Sequence, residues 1–127
     1  MQRRVFDYAC DRLRIMTDAR LPSDIQVMAT VRRCNSQGLF AAILHRGDDW
    51  GGAIIVKINL LDGTSKVLTQ SRDLDGKIAW LAANQGQLLS EAEAMTYVDR
   101  QVSRDPDLWV VEIEDREGRN PFDGKIV

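Results

Sequence analysis

Gly38 divides this chain between two hydrophobic rhythms. Before it, in RLPSDIQVMATVRRCNSQG, Val27, Val31 and Cys34 recur at helical spacing with Met28 alongside. After it, LFAAILHR (39–46) and AIIVKIN (53–59) are short β-rich runs of strand length. Such a change of period excludes an all-helical fold. Ser23 followed three residues on by Gln26 predicts a capping box, and Gly38 supplies the left-handed stop.

The same rules carry along the rest of the chain. The two strands are expected to form a hairpin through GDDWGG with Arg46 opposite Ala53. One face then holds Leu39, Ala41, Ile43 and His45 against Ile54, Val56 and Ile58. LDGT (61–64) and Asp75-Gly76 predict turns around strands at 64–70 and 77–82. NQGQLLS reads as loop. Ser90 and Glu93 make a second capping box that opens a helix over 91–104, with Leu89 stapled to Ala94 and Asp105-Pro106 as its stop. LWVVEIE (108–114) is a fifth strand with Trp109, Val111 and Ile113 pointing inward, and residues 115–127 read as a loose tail. Upstream, Phe6, Ala9, Leu13 and Met16 share one stripe of a helix expected over 2–17. Strands grouped apart from helices imply an α+β fold: a mostly antiparallel sheet of about five strands with two or three helices on one face. The expected division is an N-terminal helical extension (1–18), one α+β domain (19–115) and a C-terminal tail (116–127).

Composition narrows the function classes. With 44% hydrophobic and 28% charged residues the chain can bury a core, and a net charge of −2 argues against a nucleic-acid module. The longest apolar runs, LFAAIL and AIIV, are far below a membrane span. Cys10 and Cys34 form no CxxC and no Cys/His cluster, which fits a reducing cytoplasm and neither a disulfide scaffold nor a zinc site. Cys34, on the apolar stripe, reads as a small buried hydrophobe.

Little in the chain looks like chemistry. Glu112, Glu114, Asp115 and Glu117 would be four carboxylates for Mg²⁺ or Ca²⁺, but the EF-hand spacing is absent and Arg116 and Arg119 are interleaved. The run is therefore read as a solvated strand face, with no metal and no cofactor. His45, near Asp48 and Asp49, is the one candidate general base; no GxSxG elbow or phosphate loop accompanies it. Trp50 is a large apolar ring at a polar loop tip, suited either to a partner or to folding back on the sheet. Arg32 and Arg33 near a helix C-terminus complement its dipole and could also clamp an anion. The leading expectation is a non-catalytic module that binds an unidentified protein partner or small ligand through Trp50, Arg32, Arg33, Arg46, His45 and Asp48. No nucleic acid or membrane takes part, and a homodimer is allowed. The alternative is a small transferase- or hydrolase-like enzyme using His45 with a nearby carboxylate.

Two segments, VRRCNSQGLFAAILHRGDDWGGAIIVKINLLDGT and DPDLWVVEIEDREGR, resemble a family of short, mainly alphaproteobacterial proteins known as domain of unknown function 1491. The likeness runs over roughly residues 19–119 and is most specific in the second segment. It implies a bacterial, cytoplasmic protein, and it brings no activity, cofactor or site residue with it. It also implies that residues 1–15 are either an extension beyond the family's usual start or a misassigned start, with Met16 as the natural one.

Overall fold

The computed structural model describes residues 21–127, so the helix expected over 2–17 lies outside the described residues. Two helices are described, α1 (Ser23–Ser36) and α2 (Glu91–Arg104). The strands are β1 (Ala41–His45), β2 (Ile54–Asn59), β3 (Thr64–Arg72), β4 (Ile78–Ala82), β5 (Leu89–Ser90), β6 (Trp109–Glu114) and β7 (Lys125–Ile126). They form one mixed sheet in the order β1-β6-β2-β3-β4-β7, with β5 pairing β3. Pairings β1–β6, β2–β3, β3–β4 and β3–β5 are antiparallel, whereas β2–β6 and β4–β7 are parallel.

The α+β class holds, but the mixed sheet has seven strands where about five mostly antiparallel ones are expected, and three expectations about layout do not hold. First, the helices lie on opposite faces. Val27 and Cys34 of α1 pack with Ile54, Val56 and Ile58, while Ala94 and Val98 of α2 pack with Ile55 and Val110. The reason is local: Ile54 to Ile58 are buried on both sides of β2, and a strand buried on both sides needs two covers. Second, β1 and β2 are not hairpin neighbours, because β6 is inserted between them. β6 too is buried on both sides over Trp109–Val111, so it takes an interior position. Third, residues 115–127 are docked and not loose. Phe122 lies 5.4 Å from the Trp80 ring, Trp80 Nε1 donates to the Asp123 carbonyl (2.9 Å), and β7 extends the sheet beside β4.

Helix ends show where local rules win. Helix α2 spans the expected residues, and its box is complete: Glu93 N donates to Ser90 Oγ (3.2 Å) while Ser90 N donates to Glu93 Oε1 (3.1 Å). Helix α1 does without its expected box. Pro22 occupies the cap position, and Ser23 Oγ donates instead to the carbonyl of Gly52. The first amides of α1 are satisfied by the loop, Ser23 N by Trp50 O (3.3 Å) and Asp24 N by Asp49 O (3.0 Å). Gly38 adopts φ +83°, the left-handed stop the sequence calls for.

Candidate functional site

The loop between β1 and β2 is built around the start of β6. Asp48 N donates to Asp107 O (3.0 Å), Trp109 N to Ala53 O (2.9 Å), and the indole of Trp109 to Asp48 O (2.7 Å). A Cβ on either Gly47 or Gly52 would strike the Asp107 carbonyl oxygen, so the close wrap requires glycine at both. The Asp48 carboxylate accepts the amides of Trp50 (3.2 Å) and Gly51 (2.8 Å), folding the tip into an Asx turn. Arg46 lies 5.3 Å over the Trp109 ring and pairs with Asp49 at 3.3 Å. The tip is thus anchored by sheet, turn and helix α1 together. Out of it stands Trp50, with 74% of its surface in water.

The sequence candidates are partly dispersed. A bulge between Ile43 and His45 sets His45 opposite Val110, on the α2 side, and not on the Ile54–Val56–Ile58 face expected for it. Its Nδ1 lies 2.7 Å from Leu108 O; a carbonyl only accepts, so Nδ1 carries the proton and Nε2 is the acceptor of the neutral ring. Asp48 spends its carboxylate on its own loop, and no hydrogen bond joins it to His45 among the described residues. Arg32 and Arg33 are exposed on α1, away from the loop tip in sequence, and Arg33 donates to the Pro121 carbonyl. Cys34 is buried, and burial pushes its thiol pKa up against the lowering pull of Arg33, as suits an inert core residue.

The most unusual polar cluster is one that pattern reading missed. Lys57 on β2 has no solvent exposure, and its Nζ donates to Glu91 Oε1 and Glu112 Oε1, each at 2.6 Å. Ser65 Oγ donates to Glu91 Oε2 (3.1 Å). Burial works to strip Lys57 of its proton, yet the hydrogen bonds and charges of Glu112 and Glu91 outweigh it and hold its pKa above the ordinary value. The Lys57 hydrogen bond holds Glu91 below its own ordinary value. The signal was present in AIIVKIN: a lysine inside a strand apolar on both faces must find carboxylates.

That cluster also corrects the reading of the acidic run. Glu112 is 18% exposed and ion-paired, not a solvated carboxylate. Asp115 is buried. It accepts Arg119 Nε (2.9 Å), Arg119 N (3.0 Å) and Glu117 N (3.2 Å), and the Arg119 bond leads in lowering its pKa. Arg119 pairs with Asp115 and Glu117 of the run. No group of three or more His, Cys, Asp or Glu able to hold a metal ion occurs among the described residues. No described helix is long and apolar enough to cross a membrane.

Comparison with known proteins places this architecture. The sequence profile of "Protein of unknown function (DUF1491)" matches residues 21–123. The crystal structure of a DUF1491 family protein from Caulobacter crescentus CB15 is similar at 34% identity and a TM-score of 0.76, over 85% of this chain and 100% of that one. An NMR structure of a DUF1491 family protein from the same organism matches at 34% identity and 0.72, over 84% and 96%. The solution structure of protein Atu0922 from A. tumefaciens matches at 30% identity and 0.62, over 75% and 86%. A search of the curated proteins finds no match.

Proposed function

This chain belongs to the DUF1491 family, and from that premise we propose that it is a non-catalytic binding module whose contact is the Trp50 loop. The observation that carries this reading is the contrast at the tip. The backbone of Asp48–Gly52 is fastened to Asp107, Trp109 and α1, while the indole of Trp50 stays 74% exposed. Leaving so large an apolar ring in water forgoes about 1.5–3 kcal/mol of burial. A tryptophan on a pre-ordered loop recovers that on meeting a partner with little ordering cost. Arg46, exposed in the same loop and lying over Trp109, forms with Asp49 a polar pair at the rim. The partner on this reading is a cytoplasmic protein.

The alternative, a small transferase- or hydrolase-like enzyme, draws on a groove that His45 shares with Asp99 and Ser103. Catalysis would need these groups linked. No hydrogen bond joins any two of them among the described residues, and the His45 nitrogen that an orienting carboxylate would hold is engaged by Leu108 O. The test is capture from native lysate by wild type and by Trp50→Ala, matched for melting temperature. Loss of a discrete partner on truncating the indole is the expected result; identical capture by both proteins counts against the reading. Ester or acyl-transfer turnover abolished by His45→Ala would favour the enzyme.

A further inference from the structure

Strand β1 is an edge of the sheet, and most of that edge is closed. Leu39 N donates to Cys34 O (2.9 Å), and the side chain of Asn35 reads Ala41 as a neighbouring strand would, accepting its N–H (3.2 Å) and donating to its C=O (3.3 Å). Outward-facing backbone alternates by two, so the next open pair belongs to Ile43. Beyond it the bulge at Leu44 ends regular pairing. Among the described residues one short stretch of backbone is therefore left open, and it borders a groove.

That groove lies between β1 and α2 and holds about 330 Å³, the lower end of small-ligand sites. Leu44, Met95, Val98 and Val102 give it an apolar lining, and Asp99, Ser103 and His45 its polar groups. Among these the carboxylate is that of Asp99. His45 presents its acceptor nitrogen, because Nδ1 is committed to Leu108 O. The same helical row, four residues apart, runs from Asp99 through Met95 to Glu91. Glu112 stands opposite Ala42 on the strand side. Glu91 and Glu112 lie beyond the lining and are both held by the buried Lys57, so among the described residues the charge that faces the groove is that of Asp99. An apolar trough with acceptors and surplus negative charge fits a long side chain with a cationic head.

We propose that the β1–α2 groove binds a short extended segment of a partner protein, hydrogen-bonded to the open edge at Ile43 and inserting a lysine or arginine side chain beside Asp99. Strand addition supplies affinity through the backbone, and the groove supplies the choice of side chain. A second copy of this chain is a poorer occupant. Pairing β1 with itself would lay two α2 flanks side by side, Asp99 facing Asp99, and Asn35 would block half of each edge. The inference rests on the binding reading above and adds the chemistry of the partner.

The test titrates the isotope-labelled full chain with the peptide Val-Lys-Val-Lys-Val and separately with its glutamate counterpart, following amide shifts. The lysine peptide is expected to move Ile43, Leu44, Asp99 and Val102, and the glutamate peptide to leave them in place. Asp99→Lys, on an exposed helix face and so safe for folding, should weaken the lysine peptide about three- to tenfold and admit the glutamate one. Shifts that are absent, spread over the surface, or equal for both peptides overturn the proposal. So does concentration-dependent movement of the same amides in the free protein with a doubled mass, which would make the occupant a second copy. Trp50→Ala should leave the peptide titration unchanged. A Trp50-dependent partner with no peptide shifts sinks the groove alone, and peptide shifts without a Trp50-dependent partner sink the loop alone.

Discussion

On the α1 side of the sheet, twelve buried apolar residues including Trp80, Trp109 and Phe122 pack together, and Arg46, which lies over the Trp109 ring, keeps its charge exposed. On the α2 side, seven buried apolar residues share their layer with Lys57 and its two glutamates. The first arrangement is held by area and shape, which tolerate small displacements and ignore pH. The second adds an ion lock that fixes where the N-terminus of α2 meets β2, and it carries a desolvation cost that only good geometry offsets. The open features belong to the second side or to its margin: the groove beside His45 lies there, and the Trp50 loop wraps the strand that both sides share. A sheet sealed on one face can afford an indented one on the other.

Substitutions on the two faces are expected to act differently. The largest effect is expected from Trp109→Ala. It empties the α1-side core and frees the Asp48 carbonyl, and it should lower stability by about 3–5 kcal/mol, read as a fall in the urea midpoint. Lys57→Met comes next. It keeps the volume but leaves Glu91 and Glu112 facing each other; since both reach water, a loss of about 2–3 kcal/mol is expected. Adding Glu91→Gln and Glu112→Leu should recover most of it. Recovery would show that charge balance and not shape holds this side, and no recovery would make the two faces alike.

The third is a pH dependence. Glu91 has a lowered pKa, so its contribution is present above its ordinary 4.5 and lost as pH falls through the folded value. Lys57 has a raised pKa, so its contribution is present below 10.5 and lost as pH rises through the folded value. The lock should be complete between roughly pH 5 and pH 10. In Lys57→Met the acid limb should change sign, stability rising as the unopposed carboxylates take up protons. Ser90→Ala, which removes the cap of α2, should cost about 1 kcal/mol in the same urea assay. Trp50→Ala should stay within about 0.5 kcal/mol. A larger loss would mean the indole packs on its own molecule.

What could be read from sequence followed from how local the determinants are. Helix α2 is framed by Ser90-x-x-Glu93 and by Asp105-Pro106, both adjacent in the chain, and its limits agree with expectation. The inward row of Trp109, Val111 and Ile113 is likewise a property of one strand. The insertion of β6 between β1 and β2 is a long-range choice that no short window records. Lys57 finds Glu91 and Glu112 at separations of 34 and 55 residues, so periodicity could flag the buried lysine but not its partners. His45 takes the face opposite to the one strict alternation predicts, because one bulged residue reverses every side chain beyond it. Trp50 stands out in the loop sequence, but its exposure depends on the Asp107 carbonyl that fixes the loop's path.

The binding reading is tested most directly by placing a photo-crosslinking residue at position 50 and, as a control, at Leu74, a still more exposed apolar site on the β3–β4 turn, in a cell that makes the protein naturally. A discrete protein adduct from position 50 and none from position 74 is the expected result. The same adducts from both positions, or none from position 50, would contradict the account.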